Sequence, residues 1–419
     1  MTRSTSAERR RFESLDRGSL AEYQLGRLNA LLADILPANP FYAAALGHVE
    51  LPLRSWSDLQ RLPPTTKDQL VAGGDFAANR TWPRDRYVRY HQTSGTRGRP
   101  LAVLDTADDW LWWIDCWQYV LDAAEVTATD CLMMAFSFGP FVGFWSAYDA
   151  AAARGCLVVP GGGMTSAARL ELIRTSGATV VCCTPSYALH LAEVGRQRQT
   201  DVGELGVRVL ILAGEPGGSI PATRDRIERA WRARVIDHAG ATEVGPWGYA
   251  DRDGRGLHVT ESEFIAEFHS LETGQPAAEG ELAELVLTTL GRVGSPVIRY
   301  RTGDLVRPVW RDRGFVLLDG GVVGRADDML IVRGVNVFPG SVEQIVHGFP
   351  EVEEFRLIAY KREEMEQLTI EIEDRLEQPA RVADELHVRL GLKVDVQCVP
   401  LGSLPRFEGK ARRLVDNRQ

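Results

Sequence analysis

Between about residues 130 and 240 the chain alternates two textures. Short, nearly continuous apolar runs (CLMMAF 131–136, CLVVP 156–160, TVVCCTP 179–185, VRVLILAG 207–214, ARVIDHAG 233–240) alternate with segments of helical spacing around 143–153, 165–176, 186–196 and 221–232. Runs that are apolar at successive positions predict strands buried on both faces, and the intervening segments predict helices covering them, so the pattern reads as a parallel α/β core. Upstream, residues 19–36 place Leu25, Leu28, Leu31, Leu32 and Ile35 on one helical face, and NPFYAAAL predicts a turn into a second, short helix.

From about 256 to 325 the helical spacing disappears. LHVTESEFIAEF, ELAELVLTTL, PVIRYRTGDLVRPV and GFVLLDG read as strands joined by glycine-bearing turns, an antiparallel β module beside the core. Over 329–419 the texture changes again: FPGSVEQIV and PARVADELHVRLG predict helices, while EEFRLIAYK, QLTIEIED and KVDVQCVP predict strands. The expected fold class is therefore α/β, with a large N-terminal domain over 1–326 and a small α+β domain over 329–419. The boundary falls in GRADDML, at residues 327–328. No internal repeat is visible.

Composition narrows the function. A chain of 419 residues, 44% hydrophobic and 25% charged, has the make-up of a soluble protein of two or three domains. The net charge of −9 argues against a nucleic-acid partner. Six cysteines without any C-x-x-C pairing, mostly in apolar runs, read as buried small side chains and point to the cytoplasm. The N-terminal MTRSTSAERRRF lacks the apolar core of a secretory signal. The uncharged stretch Leu132–Tyr148 is broken by Gly139-Pro140 and closed by Asp149 and Arg154, so a strand, a loop and a helix are expected there rather than a membrane span. Asp109, Trp110, Trp112, Trp113 and Trp117 form a tryptophan-rich helical face that packs on the core or on a second subunit, which leaves a homodimer open. Only four lysines occur (Lys67, Lys361, Lys393, Lys410). In so arginine-biased a chain, a lysine retained where chemistry wants one carries extra weight.

The densest chemical signal is HQTSGTRGRP (91–100), rich in Gly, Ser and Thr after a strand-like YVRY. Backbone N–H groups of such a loop can wrap a polyphosphate, although the same composition also suits a plain flexible turn. It is not a Walker A loop, and no match to G-x-x-x-x-G-K-[ST] occurs in the chain, which counts against a P-loop hydrolase. Six further segments accompany it: LPPTTKDQL (62–70), ILAGEPGG (211–218), DHAGATEVGP (237–246), IRYRTGDL (298–305), GRADDMLIVRGVNVFP (324–339) and LPRFEGKARRLVD (404–416).

In order and spacing, over nearly the whole chain, these segments resemble the adenylate-forming ligase superfamily. Within it they look most like the phenylacetate–CoA ligase family of aryl-acid activating enzymes. The resemblance implies attack of a carboxylate on the α-phosphorus of ATP, giving an acyl-adenylate and pyrophosphate, then transfer of the acyl group to CoA. It also implies Thr93, Ser94, Gly95, Thr96 and Gly98 around the β- and γ-phosphates, and Thr242 on the α-phosphate. Glu243 would ligate Mg²⁺, Asp304 and Arg325 would hold the nucleotide, and Gly214, Glu215, Pro216, Ala239 and Gly240 would border the adenine. Lys410 would bridge the two anions during adenylation. The small domain would swing about Asp327-Asp328, with Gly334 lining the pantetheine channel. An aromatic acid would sit among Phe136, Phe138, Phe141, Trp145, His238 and Gly240, and Trp247 and Tyr249 follow the Thr-Glu pair.

Three positions depart from the family pattern. Arg99 stands where Lys is usual, Arg97 where Thr is common, and Ala239 where an aromatic ring stacks on adenine, with His238 just before it. A rival reading keeps the adenylation and changes the acceptor to a carrier-protein thiol, an amine or a hydroxyl. Another is a non-catalytic nucleotide- or acyl-AMP-binding protein.

Overall fold

The computed structural model describes residues 4–93, 100–332, 335–362, 365–407 and 411–418. A nine-stranded sheet forms its centre. From one edge, Leu157–Pro160, Cys131–Met134, Val180–Cys183, Val209–Leu212 and Arg234–Ala241 run parallel. These are the five apolar runs of the sequence. The helices between them begin and end where the local chemistry dictates. Thr165 caps Ser166–Ser176 through the Ala168 N–H, and Gly177 closes it in the left-handed region at φ 64°. Thr184 caps Pro185–Gln197, whose first residue is the proline that a first turn tolerates.

Beyond Arg234–Ala241 the same sheet turns antiparallel through Gly245–Ala250, Gly256–Val259, Leu317–Asp319 and Pro308–Val309. The expected β module is thus divided. Only Phe264–Ser270, Ala283–Thr289, Tyr300–Val306 and Gly324–Arg325 make a separate antiparallel sheet. LHVTESEFIAEF, which reads as one strand, is cut at residues 260–263. There the Glu263 and Phe264 N–H groups both donate to the Thr260 carbonyl, and the turn passes the chain from one sheet to the other. Its burial hid it: Thr260, Glu261 and Ser262 are all inside, so hydropathy gave no break.

The tryptophan-rich helix Ala107–Ala123 starts at a capping box between Thr106 and Asp109. It lies inside the large core: Trp110, Trp112, Trp113 and Trp117 are all at most 5% exposed. These rings therefore pack within the chain and offer no face to a second subunit. Among the described residues no helix is long and apolar enough to cross a membrane. All six cysteines are unpaired, five of them buried.

A distinct apolar core begins at Leu330, built from Val342, Val346, Phe355, Leu357, Ile370, Ile372, Val382 and Leu386. Its sheet has the order Asp395–Cys398, Met365–Asp374, Val352–Arg362, Leu414–Asn417. The last strand pairs in parallel with Val352–Arg362, a pairing too short and too polar to be seen in the sequence. The 3₁₀ turn Ala326–Asp328 lies between the two cores.

Candidate active site

The Thr-Glu pair sits in the turn between Arg234–Ala241 and Gly245–Ala250. Two features fix that turn. Gly245 has φ 127°, and a Cβ there would fall 2.8 Å from the Trp112 ring, so only glycine lets the strand lie on that indole. Behind it, Arg292 is fully buried and donates to the carbonyls of Thr242 (3.2 Å) and Glu243 (2.9 Å). The same guanidinium pairs with the buried Asp105, Nε to Oδ1 at 2.8 Å and Nη2 to Oδ1 at 2.7 Å. Burial raises the Asp105 carboxyl, and Arg292 pulls it back towards the charged form. Neither residue belongs to a recognisable motif. They meet across 187 positions of sequence, which is why they were missed.

Glu243 is 8% exposed and faces the other way. Its Oε1 accepts from the Tyr300 hydroxyl at 2.9 Å and lies 3.6 Å from Lys67 Nζ. Burial and the neighbouring Glu243 push the Tyr300 phenol up, so it stays a proton donor. Lys67 reaches the site because the segment before it is stitched to the strand that carries Tyr300. The Thr65 N–H donates to the Arg299 carbonyl at 3.0 Å, and the Arg301 N–H donates to the Thr65 carbonyl at 2.9 Å. The rarity of lysine marked this residue; its partner was not visible in the sequence. Among the described residues no donor meets Glu243 Oε2. One carboxylate with one open oxygen suits Mg²⁺, which takes one or two protein carboxylates and fills its shell with water and phosphate oxygens. No cluster of three or more His, Cys, Asp or Glu side chains suited to an all-protein metal site occurs among the described residues.

Asp304 and Arg325 are neighbours across a strand pair, joined at 2.9 Å between Oδ1 and Nη1. The RTGDL strand bulges here: the register slips opposite Leu285, and Gly303 adopts φ 74°. Such a bulge re-aims the next side chain out of the ladder, in this case Asp304. Tyr300 opens the strand Tyr300–Val306 that carries Asp304, and its hydroxyl meets Glu243, so this strand joins the two motifs.

The Gly-Glu-Pro turn follows the end of Val209–Leu212. Gly214 has φ 96°, and Glu215 accepts from the Ser186 N–H at 2.8 Å and from the Ala411 N–H at 2.7 Å. Asp237 lies behind it, 2.5 Å from the Ser219 hydroxyl, pushed up to about 6 by burial. His238 donates from Nδ1 to the Gly248 carbonyl at 2.7 Å. Burial lowers it to about 4, so it is neutral with Nε2 unprotonated. Ala239 is half-buried and Gly240 exposed.

The expected acid-binding rings separate into two groups. Phe138 packs on Trp145 (4.6 Å) and Phe136 (6.3 Å), and Phe136 on Phe144 (5.4 Å). Trp117 then connects Phe144 (6.2 Å) to His238 (4.2 Å). The rings form an unbroken file from the 136–145 segment to the end of the strand that carries Gly240. Phe144 and Trp117 complete that file; the sequence set Trp117 apart only as part of the tryptophan-rich face and did not single out Phe144. Phe141 is 42% exposed, outside the file. Trp247 and Tyr249 are buried in the main core. Thr93 is buried and closes the neck of its loop through Leu101, N–H to carbonyl and N–H to hydroxyl, both 3.0 Å. Ser94, Gly95, Thr96, Gly98, Gly334 and Lys410 lie outside the described residues, as do Arg97 and Arg99.

A Thr-Glu turn with a buried glutamate, an Asp-Arg pair on a bulged strand and a Gly-Glu-Pro turn at the end of a parallel strand fit a nucleotide-binding enzyme. Residues 49–283 match the AMP-binding enzyme family and residues 334–418 its C-terminal domain, so the chain belongs to the AMP-binding enzymes. It is 32% identical to a phenylacetate-coenzyme A ligase of Thermus thermophilus, over 97% of this chain and 98% of that one. It is 34% identical to the Escherichia coli phenylacetate-coenzyme A ligase, over 87% and 86% respectively. Crystal structures of a 2-hydroxyisobutyryl-CoA ligase, 25–26% identical and covering 99% of this chain and 94% of that one, superpose in two ways. The TM-score is 0.92 in the postadenylation state with 2-HIB-AMP and 0.73 in the thioesterification state with CoA.

Proposed function

We propose that this chain activates an aromatic carboxylic acid with ATP and passes the acyl group to CoA. A carboxylate oxygen attacks the α-phosphorus, the Pα–O bond to the β-phosphate breaks, and pyrophosphate leaves. The CoA thiolate then attacks the acyl carbon and AMP leaves. Thr242, Asp304 and Arg325 would hold the nucleotide, and Glu243 would hold Mg²⁺, which would screen the phosphates from the incoming anion. Tyr300 and Lys67 fix the Glu243 carboxylate. Fixed groups aimed at developing charge need no reorganisation during the reaction. The file of rings from Phe138 through Phe144 to His238 supports a flat, aromatic acid. Lys410 supplies the compact cation of adenylation. The two TM-scores support a small domain that changes its pose between the half-reactions.

The observation that carries this reading is the convergence of the Thr242–Glu243 turn and the Asp304–Arg325 pair on Tyr300. Pyrophosphate exchange across benzoate, phenylacetate, anthranilate and hydroxybenzoate tests it. Exchange should require both Mg²⁺ and one of these acids, and CoA should be consumed one-for-one with AMP released. Exchange without acid would refute the ligase. Acid-dependent exchange with CoA untouched would move the acceptor to a carrier-protein thiol, an amine or a hydroxyl.

A further inference from the structure

A cavity of about 660 Å³, lined by none of the residues assigned to ATP, lies between helices Pro185–Gln197 and Pro221–Trp231 of the large domain and the small domain. That volume is in the range of small-molecule sites. Its charges are unevenly matched. Arg406 meets Glu193 and Glu373, and Arg413 meets Glu343 and Glu354. Arg196 and Arg375 share the single carboxylate of Glu353, at 3.5 and 3.7 Å. Arg226 and Arg229 line the same wall, and among the described residues neither has a carboxylate within ion-pairing distance. Six guanidinium groups thus line the space with four carboxylates, those of Glu193, Asp201, Glu353 and Glu354, and Arg226 and Arg229 stay without an ion-pair partner among the described residues.

Arg226 is the telling residue. It is half-buried, and withdrawal from water weighs most on its charge; Glu354 opposes this, while Arg413, Arg375 and Arg196 add to it. A cation partly withdrawn from water without a counterion is costly unless a ligand brings the countercharge. Guanidinium groups match phosphate oxygens in pairs, and several converging on one cavity select a multiply charged group.

We propose that this cavity is a binding site, distinct from the ATP site, for a small anion bearing a phosphate or diphosphate group, gripped by Arg226 together with Arg196, Arg229 and Arg375. Its walls come from both domains, so an occupant cross-links them in the pose seen here. Ser186 lines the cavity and donates its N–H to Glu215, which links the occupant to the adenine wall.

The test is calorimetric titration of the full chain, saturated with AMP, using inorganic pyrophosphate in one arm and adenosine 3′,5′-bisphosphate in the other. The wild type should bind one of the probes, and Arg226→Gln should weaken that binding at least tenfold while acid-dependent pyrophosphate exchange stays within twofold. Binding of pyrophosphate alone identifies a free inorganic anion; stronger binding of the bisphosphate identifies a nucleotide-borne phosphate. Should Arg226→Gln fail to fold, the exposed Arg229→Gln should weaken the same probe at least threefold. Neither probe binding, or binding that is unchanged in the folded variant, overturns the proposal.

Discussion

Two sets of ionic contacts in this molecule do opposite jobs. Around the Thr-Glu turn, Arg292 and Asp105 are 0% and 1% exposed, and the guanidinium holds two backbone carbonyls as well as its carboxylate. Along the seam between the domains the pairs are looser. Arg196 meets Glu353 at 3.5 Å with the arginine 59% exposed, and Arg406 meets Glu193 at 3.3 Å. A buried pair resists removal of either partner, because the survivor is left charged and unsolvated. An exposed pair exchanges readily with water and contributes little. The nucleotide turn is therefore held in one geometry, whereas the ion pairs of the seam are contacts that can part, beside shorter hydrogen bonds such as Thr223 to His347 at 2.7 Å. That division suits the change of pose proposed above for the small domain.

Removing one side of the buried network should have the largest effect. Arg292→Met should cost about 3–5 kcal/mol of stability, read as a lower urea midpoint, because Asp105 would remain buried without a cation. A loss under about 1 kcal/mol would make the network ornamental. Next comes the site itself. Tyr300→Phe removes one donor from Glu243 and should slow pyrophosphate exchange roughly 10-fold while shifting stability by about 1 kcal/mol. A stability loss with exchange intact would make Tyr300 a packing residue only.

The third prediction concerns pH. His238 is held near 4 against an ordinary 6.5, so between those values the unfolded chain binds a proton that the folded chain refuses. Stability should therefore fall as pH drops through that window, by at most about 3 kcal/mol. Asp237 acts in the opposite direction: raised from 3.8 to about 6, it carries a proton when folded that the unfolded chain has lost, so its contribution weakens as pH rises. His238→Gln isolates the histidine. Its urea midpoint should decline less steeply between pH 6.5 and 4 than that of the wild type, and parallel declines would contradict the assignment. The smallest effect belongs to the seam. Arg196→Gln should change stability by less than about 1 kcal/mol, because the pair is largely solvated. A larger loss would mean that the two sets of contacts are not distinct.

Periodicity and motif together carried much of this into view from the sequence. The inner parallel strands were legible because a strand covered on both faces is apolar at every position. Leu157–Pro160, equally apolar, proves to be a largely exposed edge strand, with Leu157 62% exposed. Thr242, Glu243, Asp304 and Glu215 were legible because each lies in a short segment whose residues are contiguous. Arg292, Asp105 and Tyr300 as a unit were not, since long-range pairing leaves no local trace. The cut at 260–263 was hidden because a buried turn in a β-rich stretch looks like more strand. The ring file was half legible: Phe136, Phe138 and Trp145 stood out as a cluster, but Phe144 and Trp117 became members only when the helix Ala107–Ala123 was laid against them.

The most direct check of the account is the rate of acid-dependent, Mg²⁺-dependent pyrophosphate exchange in Glu243→Gln beside the wild type, at matched urea stability. The account predicts a fall of roughly 100- to 1,000-fold, since an amide keeps the shape but not the charge that holds the cation. Exchange within threefold of the wild type would contradict it.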